Sequence, residues 1–182
     1  MQRWRVPLGF VCAALFIVLS KPSVRSLAVG GAVALVGLAI RAWASGHIRK
    51  NSLLAVSGPY AYTRNPLYLG SFVLGIGFTV AAASSWWLLA LLGSVFAALF
   101  LGIYLPVMRV EAVTLGELFG EEYARYSSAV PLLFPRLTPY RPGGGPPAKF
   151  DAGLYMRYRE YRAALGLLLA WCVLMLKAVL AF

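Results

Sequence analysis

Negative charge is scarce in this chain: six Asp and Glu stand against 17 Lys and Arg, and charged residues of either sign make up 13% of 182. A soluble domain of ordinary make-up carries about 25%, so the deficit argues against one. Histidine occurs once and cysteine twice, both cysteines inside apolar runs and without C-x-x-C spacing. That excludes a disulfide framework and leaves too few soft ligands for a metal centre, so no metal is expected. The same scarcity removes any signal of redox compartment.

What the chain has in quantity is apolar surface, 60% of residues with a mean hydropathy of +0.75. This composition reads as an integral membrane protein whose size suits one helical bundle and no second sizeable soluble domain. The formal charge of +11 does not point to nucleic acid, because the cations sit at the ends of apolar runs and not on one soluble face. Interface anchoring and attraction to anionic membrane lipids account for them.

Five spans are expected, at about residues 6–21, 27–44, 67–83, 86–108 and 163–182. The first is short for a bilayer and extends through Trp4 and Lys21. No small-x-small cleavage site follows it, which favours a retained helix over a signal peptide. The second carries Gly30, Gly31, Ala34 and Gly37, a surface that permits close helix approach, and Arg41 near its end, where it can snorkel. The third and fourth are joined only by Ser84-Ser85, so they form a tight hairpin flanked by interfacial Trp86 and Trp87, with Pro106 expected to kink the later turns. Gly75-x-Gly77 lies inside a span with no strand before it and reads as helix packing, not a nucleotide loop.

Between the spans lie segments 45–66 and 109–135, which carry most of the polar chemistry. The hairpin returns them to one side. Helix is expected to continue past Arg109, since Glu111, Leu115 and Phe119 share a face, with a break at Gly120. Pro131, Pro135, Pro139 and the run from Pro142 to Pro147 forbid regular structure, giving a linker over 136–149. Phe150, Leu154, Tyr158, Tyr161 and Leu165 predict an amphipathic helix over 150–162 whose Arg157, Arg159 and Arg162 reach lipid phosphates. Arg3, Arg5, Arg41, Arg49, Lys50, Arg64, Arg109 and Arg125 fall on one side, and Lys21, Arg25 and Lys177 on the other. The positive-inside rule then puts the polar segments and the N-terminus in the cytoplasm.

The densest cluster of chemistry is Ser57 to Gly70, S-G-P-Y-A-Y-T-R-N-P-L-Y-L-G. Gly58-Pro59 is a turn. Asn65-Pro66 is a helix entry, with Asn as cap and Pro at the first helical position. Glu111, just beyond a long apolar helix, is a site candidate because an ionisable residue at membrane depth is costly unless paired or functional. On the residues alone, plainer roles stay open: Glu111 pairing with Arg109, Arg64 snorkelling to phosphate, Asn65 as a simple cap, His47 as an interfacial polar group.

The pattern G-P-Y-x-x-T-R-N-P-L-Y-L-G, followed after one hairpin by E-x-x-x-L-x-x-x-F-G-E-E-Y-x-x-Y and Val130-Pro131, resembles the isoprenylcysteine carboxyl methyltransferase family, itself similar to the membrane phospholipid N-methyltransferases. The likeness covers roughly residues 44–135. It implies an all-α, polytopic membrane enzyme that binds S-adenosylmethionine on the cytosolic side and admits a lipophilic, membrane-embedded substrate. By position, Tyr60, Arg64, Asn65, Pro66, Tyr68 and Gly70 fall on the family's R-H-P-x-Y-x-G region, and Glu111 on the first carboxylate of its Glu-Glu pair. Gly120, Glu121, Tyr123 and Tyr126 fall on its F-G-E-E-Y-x-x-Y region. The resemblance thus implies Arg64 and Glu111 as catalytic residues. It implies a cofactor site drawn from His47, Gly58, Tyr60, Asn65, Pro66, Tyr68, Gly70, Glu111, Glu121, Tyr123 and Tyr126. Asn65 replaces the usual His and Ala112 the second Glu, and both departures argue against prenylcysteine as substrate. Methyl transfer from a sulfonium needs positioning and exclusion of water more than a metal or covalent intermediate. An NADPH-dependent membrane reductase of related architecture and a non-enzymatic scaffold or carrier are the alternatives.

Overall fold

The computed structural model describes residues 14, 16–48, 53–141 and 149–180. Most of the expected first span, the cations Arg49 and Lys50, and the Pro/Gly run over 142–148 lie outside the described residues. Every named element is a helix: α1 (Val24–Ser45), a 3-10 turn (Gly58–Ala61), α2 (Pro66–Ala82), α3 (Trp86–Ala129), α4 (Ala152–Arg157) and α5 (Tyr161–Leu180). Three of them, α1, α3 and α5, are long and apolar enough to cross a bilayer, and α2 is an apolar helix of 17 residues. Exposed side chains such as Val29, Leu91, Leu168 and Val179 give the outer face of this bundle its lipid-compatible surface. The protein is a membrane helical bundle.

α1 begins where Ser23 and Ser26 cap each other's backbone N–H, a reciprocal box that satisfies two otherwise orphaned donors. Ser26 also donates to the carbonyl of Ala81 at 3.0 Å, tying this start to the end of α2. Between those ends the two helices run antiparallel with backbones in contact. A Cβ at Gly30 would sit 2.4 Å from the Gly77 carbonyl oxygen, and one at Gly37 would sit 2.4 Å from the Leu74 nitrogen. Small residues are therefore obligatory along this seam, where lipid offers no hydrophobic drive and van der Waals contact must hold the helices together. Gly31 lies off the seam and faces the indole of Trp171 on α5.

At one end of the bundle the backbone N–H of Lys21 donates to Ala82, and the Lys177 ammonium caps the carbonyls of Ile17 and Ser20 at 2.6 and 2.7 Å. Phe16, Ala81, Leu88, Leu92 and Leu174 pack beneath. The polar chemistry gathers at the opposite end. Before its kink at Gly120, α3 runs from Trp86 to Phe119, about 51 Å at ~1.5 Å per residue against the ~30 Å of bilayer hydrocarbon, so its later turns extend past the apolar slab. Its backbone stays helical through Pro106 and departs from helix only at Gly120, φ 52°.

Two expectations are corrected. The helix anticipated over 150–162 is interrupted: α4 ends at Arg157 and the chain turns at Arg159, φ 56°, a left-handed residue that swings Glu160 onto Arg41. Nor is the stretch from Arg136 to Arg141 a free linker. Prolines at 131, 135 and 139 cannot donate, but Arg136 and Tyr140 between and beyond them do, to the carbonyls of Tyr62 and Ala61 at 2.9 and 2.8 Å.

Candidate active site

The site is assembled on the Ser57–Gly70 segment. Gly58 turns with φ 60°, and a Cβ there would fall 2.5 Å from the His47 ring. His47 is in turn fixed by Nδ1, 2.8 Å from the Trp43 carbonyl, by edge contact with Trp43 and by tilted contact with Phe150. Residues 130–136 then bind the segment from the other side. Arg64 N–H donates to Pro131 (2.9 Å), the Thr63 hydroxyl to Leu133 (2.8 Å) and the Asn65 amide to Leu132 (2.9 Å). Asn65 does occupy the N-cap position of α2, yet its side chain makes no cap hydrogen bond. Its amide instead secures the 130–136 loop.

α3 supplies the facing wall. Tyr68, one turn into α2, donates to Glu111 Oε1 at 2.9 Å. The positive φ of Gly120 lets the chain double back, which brings Tyr123 within 3.2 Å of Arg64 Nη1 and the Tyr126 hydroxyl within 2.7 Å of the Tyr60 carbonyl. A residue with a side chain would pay for that dihedral in strain. Tyr123, Tyr126 and Val130 are buried together against Leu54, Leu115 and Phe119.

Enclosed by these elements is a cavity of about 670 Å³, within the span of small-molecule sites. Of the residues expected at the catalytic and cofactor sites, Tyr60, Arg64, Asn65, Pro66, Tyr68, Glu111, Tyr123 and Tyr126 line it. His47, Gly58, Gly70 and Glu121 do not: His47 and Gly58 buttress each other, Gly70 packs on Gly37 and Arg41, and Glu121 is exposed. Two lining residues carry buried polar atoms with no hydrogen-bond partner among the described residues, the Tyr60 hydroxyl and Arg64 Nε. Burial, reinforced by Tyr126, pushes the Tyr60 phenol well above its ordinary range, so it stays protonated and can only donate or accept as a neutral group. Two idle donors opposite the Glu111 carboxylate leave the cavity with one anion-seeking and one cation-seeking wall.

Sequence reasoning missed an ion pair at the edge of the cavity, formed by a lining residue, Arg41. Arg41 makes a bidentate contact to Glu160, 2.7 Å at its shortest, and its remaining nitrogen reaches Ser71 and the Leu67 carbonyl. Arg41 was visible as a lone cation in an apolar run. Its partner lies 119 residues away, beyond any helical spacing rule.

Residues 4–122 match the phospholipid methyltransferase family. Two curated relatives are the cobalt-zinc-cadmium resistance protein CzcN of Cupriavidus metallidurans, 36% identical, and the nickel-cobalt-cadmium resistance protein NccN of Alcaligenes xylosoxydans xylosoxydans, 33% identical. Each alignment takes in 76% of this chain but only 64% and 65% of the respective relative, so the chain spans less than two thirds of their length. No solved structure matches. With the motif order, the two-walled cavity and the family match in agreement, the chain belongs to the phospholipid methyltransferase family of membrane methyltransferases.

Proposed function

We propose that this chain transfers a methyl group from S-adenosylmethionine to a lipophilic acceptor, at the end of the bundle where α2 begins. The observation that carries the reading is a pair of donors without a partner among the described residues, the Tyr60 hydroxyl and Arg64 Nε, lining the same cavity as Glu111. That arrangement suits a zwitterionic ligand bearing a carboxylate, an ammonium and hydroxyls. Arg64, with the positive end of the α2 dipole beside it, holds the carboxylate, and Glu111 takes the ammonium or the ribose hydroxyls. Tyr68, Tyr104 and Tyr123 offer aromatic faces to a cationic centre. The cofactor's contribution is an activated methyl on a sulfonium. The protein orients the reactants and keeps water out, effects worth roughly 7–11 kcal/mol in well-aligned cases.

The excess of Lys and Arg at this end supports a cytoplasmic orientation with the N-terminus inside. The relatives' names concern metal resistance, but for this chain a metal is proposed neither as cofactor nor as substrate.

Calorimetry on the full chain in nanodiscs tests the reading. S-adenosylmethionine should bind, NADPH should not, and Arg64→Ala and Glu111→Ala should each weaken binding by about tenfold or more. Full affinity in both variants would sink the proposed site, preference for NADPH would replace methyl transfer with a reductase, and binding of neither would leave a scaffold or carrier.

A further inference from the structure

A second pocket, of about 480 Å³ and open on one side to the surroundings, lies farther along the bundle between α2, α3 and α5. It shares three lining residues with the polar one: Arg41, Ser71 and Tyr104. From that junction an aromatic wall descends α3. Tyr104 packs on Phe100 with ring centroids 4.5 Å apart, Phe100 packs on Phe96 at 5.6 Å, and Phe72 touches both phenylalanines. The opposite wall is α5, where Ala163, Gly166, Leu167 and Ala170 recur at helical spacing on one face. Leu168 and Leu169, on the other faces, are 62% and 71% exposed to the surroundings.

The cavity's reach follows from the helices that bound it. On α2 its lining runs from Ser71 to Thr79, eight helical steps, or about 12 Å of axis. Phe16 closes the far end, 3% exposed and packed with Ala81 and Leu88. This falls short of the ~15 Å of one leaflet. The α5 wall also lies outside residues 4–122, the part of the chain that matches the family. It is held in place by Glu160, whose contact with Arg41 fixes the turn leading into α5.

We propose that α5 is the specificity wall of an acceptor-tail site. The site takes the hydrocarbon of one short, single-chain amphiphile, about 12 Å long, and presents its polar end at Tyr104 and Ser71 to the polar cavity. The proposal rests on the methyltransferase reading for the word acceptor; the site itself is a property of the cavity. Gly166 is the handle on it, because a Cβ added there meets nothing within 4 Å. Gly166→Ala therefore adds a methyl without displacing a neighbour, and Gly166→Leu extends that bulk toward the cavity.

The test is photolabelling of the full chain in nanodiscs with a diazirine-bearing decanol, and separately with a diazirine-bearing phosphatidylcholine, followed by peptide mapping. The expected result is decanol label on Phe96 and Ala170, reduced about tenfold in Gly166→Leu and less in Gly166→Ala, with phosphatidylcholine label confined to Leu168 and Leu169. Decanol label on Leu168 and Leu169 alone, cavity label unchanged in both variants, or equal cavity label from the diacyl probe would each overturn the proposal. Calorimetry with S-adenosylmethionine, run on the same samples, separates the two ideas. Absence of cofactor binding beside the expected labelling defeats the methyltransferase reading and leaves the tail site standing.

Discussion

Tyr68 and Glu111 are joined by a 2.9 Å hydrogen bond although 43 residues separate them. The bond spans from the first turn of α2 to the middle of α3 and holds the Glu111 carboxylate at the cavity. Two substitutions separate orientation from charge. Tyr68→Phe removes the restraint and keeps the carboxylate, costing about 1 kcal/mol, or roughly fivefold in affinity for S-adenosylmethionine. Glu111→Ala removes a charged partner, worth about 1.5–3 kcal/mol, so the loss should be roughly ten- to hundredfold. Titration calorimetry distinguishes them, and a larger effect from Tyr68→Phe than from Glu111→Ala would invert the assignment.

Arg41 and Glu160 are 22% and 13% exposed, so each depends on the other for most of its solvation. Removing one partner strands the other charge. Glu160→Ala should destabilise the bundle by about 3 kcal/mol, and it should loosen the start of α5 most. The double variant Arg41→Met/Glu160→Leu, apolar at both positions, should recover most of that loss. Equilibrium unfolding by detergent titration gives the coupling between the two positions; strictly additive losses would show that the pair stabilises nothing.

The α1–α2 seam makes a sharper demand, because the atoms in the way are backbone. A Cβ at Gly77 would lie 2.4 Å from the Ala34 nitrogen, just as one at Gly37 meets Leu74. Gly37→Ala and Gly77→Ala should each cost about 1–3 kcal/mol through forced separation of the helices. Gly93→Ala is the control. Its new methyl meets nothing within 4 Å, so it should be neutral or gain up to about 1 kcal/mol from helix propensity. The same unfolding assay reads all three, and equal behaviour of Gly37→Ala and Gly93→Ala would refute the close-contact seam.

Local and periodic features were the legible ones. The small-residue stripe of α1, the Ser84-Ser85 hairpin, the break at Gly120 and the convergence of Ser57–Gly70 with Glu111–Tyr126 all follow from spacing within one or two helices. Residues whose roles depend on distant partners were read by their nearest plausible function. Arg41 was a snorkelling cation until Glu160 met it, and Asn65 a helix cap until its amide found Leu132. The turn at Arg159 was hidden for the same reason: an amphipathic pattern runs straight through it, and only the tertiary pull of an ion pair explains a left-handed residue there. Glycines at 58 and 70 fall within the binding motif in the sequence, whereas in the structure they make room for His47 and for α1.

Tyr60 supplies a prediction in which pH is the variable. Burial raises its phenol far above the ordinary value near 10.0, so in the folded protein it remains neutral while the unfolded chain ionises near 10.0. Above that point the native state binds the extra proton, and stability must therefore fall as pH rises; below it, both states hold the proton and Tyr60 contributes no pH dependence. The slope for one group is about 1.4 kcal/mol per pH unit. Tyr60→Phe deletes the group, so its stability between about pH 10 and 11 should decline less steeply than that of the unaltered protein, by up to that slope. Tyrosines common to both chains cancel in the comparison. Parallel alkaline limbs would mean that the Tyr60 hydroxyl reaches water, and with it would go the case for an idle buried donor at the cavity wall.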